Sequence, residues 1–285
     1  MTLVEVGAAV TALGVLGAAG LVAQPRDEAR GKKDQTQARG IVQGMVVWAQ
    51  NNKDVYPLPS ALDAQNATVA EQGQAKDTTG NIMSLMVFNG ALSTEILVSP
   101  AEKNPNVVNK QDYEFDQPKK AAKPALALWD PTLSAELGPK KGNISYAHLQ
   151  PFGGRLGRWT NTFGANHVVV SQRGPQVAKI TKNVDGTVTP TLAKPDSITL
   201  IVYGAGKSWS GPQVFNDVHV EFVTSGITSG RSISVKGPTY AAKDGKHWPD
   251  IWCYDEPDDE QAANDYLGLF TKAGQKRDQW TAVWD

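Results

Sequence analysis

Residues 1–23 carry no Lys, Arg, Asp or His and a single Glu, at position 5. As a helix, at ~1.5 Å per residue, such a run spans roughly 35 Å, enough for the apolar core of a bilayer. A carboxylate in that setting is costly without a partner. The positive groups nearest to it are the α-amino group of its own chain and that of an identical neighbour. The pattern therefore predicts N-terminal helices that bundle together. Gly7, Gly14, Gly17 and Gly20 punctuate the run and Pro25 closes it. Small residues allow close helix approach and also favour local melting between Gly14 and Pro25.

Beyond Pro25 the period changes. Ala38, Ile41, Val42, Met45, Val46 and Ala49 recur at i, i+3, i+4, which predicts a helix with one apolar face. Mixed charges between Arg26 and Arg39 suit a solvated or subunit-facing surface. Asn51, Asn52 and the run Tyr56-Pro57-Leu58-Pro59 end it. Ile82–Leu92 reads as a short buried helix, and Asn104–Pro139, rich in Pro, Lys and Asn, as a long surface excursion. From Asn143 onward, β-branched and aromatic runs between turn residues predict strands over 144–149, 166–172, 198–203, 214–223 and 232–235. They are expected to pair antiparallel, since no helical crossover separates them. Gln261–Ala273 reads as a helix led by Asp258, Asp259 and Glu260.

Composition narrows the function classes. A net charge of −1 gives no electrostatic case for nucleic acid. With one cysteine, Cys253, no intrachain disulfide forms. Gly 27 and Pro 17 indicate a loop-rich body containing β-structure. The four histidines, His148, His167, His219 and His247, lie in no nucleophile motif and form no His-x-x-x-His pair, so neither hydrolysis nor zinc has local support. The chain reads as a non-enzyme without a cofactor. Asp255, Asp258, Asp259 and Glu260 are the candidate hard-oxygen ligands for Ca²⁺, but they lack the Asp-x-Asp-x-Asp-Gly spacing and read better as a helix cap and solvated face. Trp159, Trp209 and Trp248 have the ring chemistry to stack on sugars; Trp is chiefly a core residue.

Met1-Thr2-Leu3-Val4-Glu5 and the apolar run behind it resemble the mature N-terminus of type IV pilins and type II secretion pseudopilins. The stretch from Ala38 to Pro57 is similar to the segment in which the amphipathic half of a pseudopilin helix ends in a Tyr-Pro turn. Trp209–Phe222 resembles the "FaDGHVeF" hairpin of the pseudopilin group with a His-x9-Asp-Gly motif. Val218 stands in place of the turn glycine, and Lys207 falls where the motif's His would be. Ile96-Leu97-Val98-Ser99-Pro100 is similar to that group's "fvCPsd" segment, with Ser99 for the cysteine.

The resemblance implies an α+β fold: a long N-terminal hydrophobic helix, a pilin-like stalk, carrying a C-terminal globular domain with an antiparallel β-sheet. The expected divisions are an assembly or transmembrane helix over 1–25, its amphipathic half over 26–53 and a β-rich domain over 54–285. It also implies a leader removed by a prepilin peptidase, a methylated Met1, and Glu5 neutralising the amine of an adjacent subunit. Met1, Thr2, Leu3, Glu5, Gly14 and Pro25 are then the assembly residues. The expected partners are copies of the chain itself, the peptidase and the inner-membrane assembly machinery. The expected location is the inner membrane first, then a surface filament. Alternatives are a minor or tip pseudopilin and a membrane-anchored glycan-binding domain; an apolar N-terminus also fits a secretory signal or plain anchor.

Overall fold

The computed structural model describes residues 28–139, 141–182, 188–203, 208–224, 240–241, 247–248 and 265–285. The chain is helical over 28–50 (α1). Ala38, Ile41, Val42, Met45 and Ala49 are wholly buried, so the stripe expected from their spacing faces the core. A Cβ at Gly44 would lie 2.7 Å from Leu92 Cδ2 and 3.1 Å from the Ala91 carbonyl oxygen. Glycine weakens the helix there by ~1 kcal/mol but permits that close approach. The helix stops where Lys53 and Asp54 enter the left-handed region, with φ of 57° and 62°. Asp54 N–H donates back to Ala49 O at 2.9 Å, a left-handed C-terminal closure.

This corrects the expected fold. Among the described residues no helix is long and apolar enough to cross a membrane. Helix α1 is amphipathic and embedded in the domain rather than projecting from it as a hydrophobic stalk: its apolar face shares one core with the sheet. The hydrophobic segment expected over 1–25 lies outside the described residues.

A short helix, α2 (Pro59–Leu62), and α3 (Thr79–Phe88) follow. Thr78 caps α3 by accepting the Asn81 N–H. Nearly every α3 side chain is buried, as an all-round apolar helix requires. Residues 104–139 form little regular structure yet are not a mere surface excursion: Tyr113, Trp129, Leu133, Ala135 and Leu137 are buried.

The sheet has six strands in the order β10-β9-β1-β2-β5-β6. They are β1 (Tyr146–Leu149), β2 (Val168–Gln172), β5 (Ser210–Phe215), β6 (Val220–Thr224), β9 (Leu267–Lys272) and β10 (Thr281–Val283). Every neighbouring pair is antiparallel. Two hairpins stand apart, β3 (Val177–Lys182) with β4 (Val188–Leu192) and β7 (Tyr240–Ala241) with β8 (His247–Trp248). Strand β9 occupies sequence expected to be helical. Residues 198–203 are not a strand; Ile198–Leu200 is a 3-10 turn whose Thr199 N–H is accepted by Ser197 Oγ. The run 214–223 is not one strand but two halves of a hairpin, with Val214 opposite Val220 and Pro212 opposite Phe222. The strand expected over 232–235 lies outside the described residues.

Candidate functional site

Helix α1 is the element that leads from the apolar N-terminal sequence into the domain, and polar contacts fix it near both ends. Near its start, Asp34 sits on the buried stripe with no exposed surface. Its carboxylate accepts hydrogen bonds from Tyr146 Oη of β1 at 2.5 Å and Tyr203 Oη at 2.9 Å. Burial pushes Asp34 above the usual carboxylate range, against the pull of the two phenols. At the far end the Tyr-Pro turn is clamped. Tyr56 N–H donates to Trp159 O at 3.1 Å and Trp159 Nε1 to Pro57 O at 3.0 Å. The two rings meet edge to face at 5.6 Å. Tyr56 Oη then donates to Asn216 Oδ1 at 2.7 Å, across 160 positions of sequence.

Asn216 opens the β5–β6 turn, so the Tyr-Pro segment and the hairpin segment, two of the stretches that resemble pseudopilins, touch. In that turn Val218 has φ of 71°, a conformation that suits glycine and strains a β-branched side chain. Replacing Val218 with Gly is expected to stabilise the domain by about 1 kcal/mol, the relief of strain exceeding the lost packing and chain entropy; a thermal melt of the two chains checks this. His219 stacks on Phe215, ring centroids 4.1 Å apart, and pairs with Asp217.

A second network ties strand ends to the loop at Glu102. Arg173, 3% exposed, donates from Nε to Asp285 Oδ2 at 2.7 Å and from Nη1 and Nη2 to the two Glu102 oxygens. Ser145 Oγ also donates to Glu102, at 2.6 Å. Burial raises the Glu102 carboxyl, but Arg173 and its other donors outweigh that and leave it below its ordinary range. A third buried cluster lies at α2, where the Lys76 ammonium is 3.0 Å from Asp63 Oδ2. Asp63 also accepts backbone N–H groups of Ala67, Thr68 and Val69.

His148 is a core residue with no exposed surface. Its Nε2 meets Thr79 Oγ1 at 2.8 Å, and Thr79 Oγ1 in turn accepts the Phe270 N–H. His148 Nδ1 lies 2.8 Å from Leu149 O, which fixes Nδ1–H as the donor and Nε2 as the acceptor. Burial pushes its pKa down to about 4, so the fold holds it neutral. Asp77 is the opposite case: burial lifts it to about 6 although Ser60 donates to both its oxygens. The folded His148 pKa is depressed, so its contribution is whole above about 6.5 and is lost as pH falls towards 4. The folded Asp77 pKa is raised, so its contribution is whole below about 3.8 and is lost as pH rises through 6. Each gap is worth roughly 3 kcal/mol, and the two oppose one another. Asp77→Asn is therefore expected to gain about 3 kcal/mol relative to the parent chain between pH 4 and pH 7, read from urea midpoints at each pH. A constant difference would refute it.

The assembly residues Met1, Thr2, Leu3, Glu5, Gly14 and Pro25 lie outside the described residues, as do the Ca²⁺ candidates Asp255, Asp258, Asp259 and Glu260 and the thiol of Cys253. Among the described residues, no group of three or more His, Cys, Asp or Glu is placed to hold a metal ion. Trp159 and Trp209 are wholly buried and present no face for a sugar. Asp34 escaped the sequence reading, yet it carried a signal: an acid in phase with Ala38, Ile41 and Met45 on the apolar stripe. Arg173, Glu102, Lys76 and Asp63 carried none, since ordinary charged residues become a buried network only through distant pairing. Comparison with protein-family models, with curated proteins and with solved structures returns no match.

Proposed function

We propose that the chain is a structural subunit, not an enzyme, of a type IV pilus-like surface filament that polymerises through residues 1–23. The reading rests on one observation: a pilin-like N-terminus, a lone Glu5 in an otherwise uncharged run, stands directly ahead of an amphipathic helix docked on an antiparallel sheet. The contact of Tyr56 with Asn216 supports it, because it joins two further segments that resemble the same family. Before assembly, residues 1–23 reside in the inner membrane. In the filament they bury apolar surface against copies of themselves at ~25 cal/mol per Å². Glu5 sets the register, since only an amine at its height satisfies its charge. A head-to-tail contact of this kind does not close and so grows as a fibre. The partners are the chain itself, a prepilin peptidase and the membrane assembly machinery. The reading requires no cofactor, and places any Ca²⁺ at Asp255, Asp258, Asp259 and Glu260.

Mass spectrometry of the N-terminal peptide from native material tests the processing step. The expected result is a methylated Met1 at the start of the mature chain. An unmethylated terminus, or cleavage after Ala23 as for a secreted protein, would overturn it.

A further inference from the structure

The α2 cluster goes beyond assembly. Lys76 and Asp63 are buried, each side chain 1% exposed. The Lys76 ammonium lies 3.0 Å from the Asp63 carboxylate and also meets Asp63's own backbone carbonyl, so its nitrogen is held against one residue by two contacts. Two charges removed from water in this way carry a desolvation cost of several kcal/mol each. A neutral amide between them would remove both charges and keep the contact. We propose that Lys76 and Asp63 form an intramolecular isopeptide bond, a covalent closure of the 63–76 loop.

The chemistry balances without oxidant or cofactor. Within the pair, the Lys76 ammonium passes a proton to the Asp63 carboxylate. The Nζ lone pair adds to Asp63 Cγ and the C–N bond forms. The nitrogen then releases a proton, the C–OH bond breaks, and the hydroxyl leaves as water. One feature serves that sequence and one slows it. Nitrogen and carboxyl are already in contact, which removes the entropic part of the barrier. The Asp63 oxygens accept N–H groups from Ala67 at 2.6 Å, Thr68 at 3.1 Å and Val69 at 3.4 Å. These donors and Lys76 hold the Asp63 carboxyl below its ordinary range, so the proton transfer onto it is the slow part of the closure.

Peptide mapping of the purified full chain, fully denatured before digestion, tests the bond. The expected result is that trypsin fails to cut after Lys76, and that the fragment containing residues 63 and 76 is one water lighter than its sequence. Fragment ions from within the 64–75 ring should also be missing. Lys76→Met should show the full mass. A wild-type fragment of full mass, cut normally after Lys76, overturns the proposal, and it does so whether or not the variant folds. Water loss that maps to another residue overturns it equally.

Discussion

Replacing Glu5 with Ala should abolish filaments while leaving the melting of the globular domain unchanged. The expected effect on assembly is all-or-none because of what the carboxylate does in the proposed bundle. Apolar residues slide past one another at little cost, so hydrophobic burial alone specifies no height. One buried charge does: every offset that leaves it unpaired costs several kcal/mol, and one offset places it against a neighbour's amine. Alanine removes that penalty for wrong registers and leaves the amine unpaired as well. The domain should not respond, because among the described residues its main core runs from Ala38 on α1 to Leu269 on β9. Negative-stain counts of filaments per cell, with calorimetry of the full chain in detergent, check both halves. Glu5→Ala filaments of normal abundance and symmetry would remove the role given to Glu5; a large drop in melting temperature would show that the residue acts on folding instead.

Arg173→Ala should be the most damaging single change in the described domain, at about 3–5 kcal/mol. The guanidinium holds Glu102 and Asp285 together, with side-chain exposures of 7% and 1%. Without it Glu102 stays buried but loses the partner that holds its carboxyl below the ordinary range. That loss makes the variant's deficit depend on pH: stability recovers as pH falls and Glu102 takes up a proton. Urea denaturation of variant and parent at pH 7 and pH 5 should show the gap narrowing by at least about 1 kcal/mol. Adding Glu102→Gln to Arg173→Ala should recover part of the loss at pH 7, because one unpaired charge is removed. A gap below about 1 kcal/mol at pH 7 would mean that water reaches the site and that the network is not the anchor its geometry indicates.

The regular parts of this fold were legible where burial is one-sided. The α1 stripe could be read because its opposite face is solvated, and the α3 run Ile82–Phe88 because it is apolar throughout. Strand β9 was misread because Leu267–Phe270 is buried at every position; a central strand loses the alternation that marks an exposed one. The β5–β6 hairpin kept a period of two through its turn, so two strands looked like one. The 198–203 segment is rich in β-branched residues, but Ser197 caps a 3-10 turn there, and local capping overrode propensity. The anchors were the least legible: Tyr56 with Asn216 and Arg173 with Asp285 are joined only by tertiary pairing. The long apolar helix of the expected fold rested on the run over 1–25, which lies outside the described residues; the helix that is described, α1, is amphipathic and packs on its own domain.

The association state of the intact chain tests the proposal of self-assembly most directly. Sheared surface material and membrane extracts of the producing cell, separated by sedimentation with light scattering, should place this chain in polymers of uniform width, with the membrane fraction as the precursor pool. A single monomeric species in both fractions, with Glu5 reactive to a water-soluble carboxyl reagent, would contradict it.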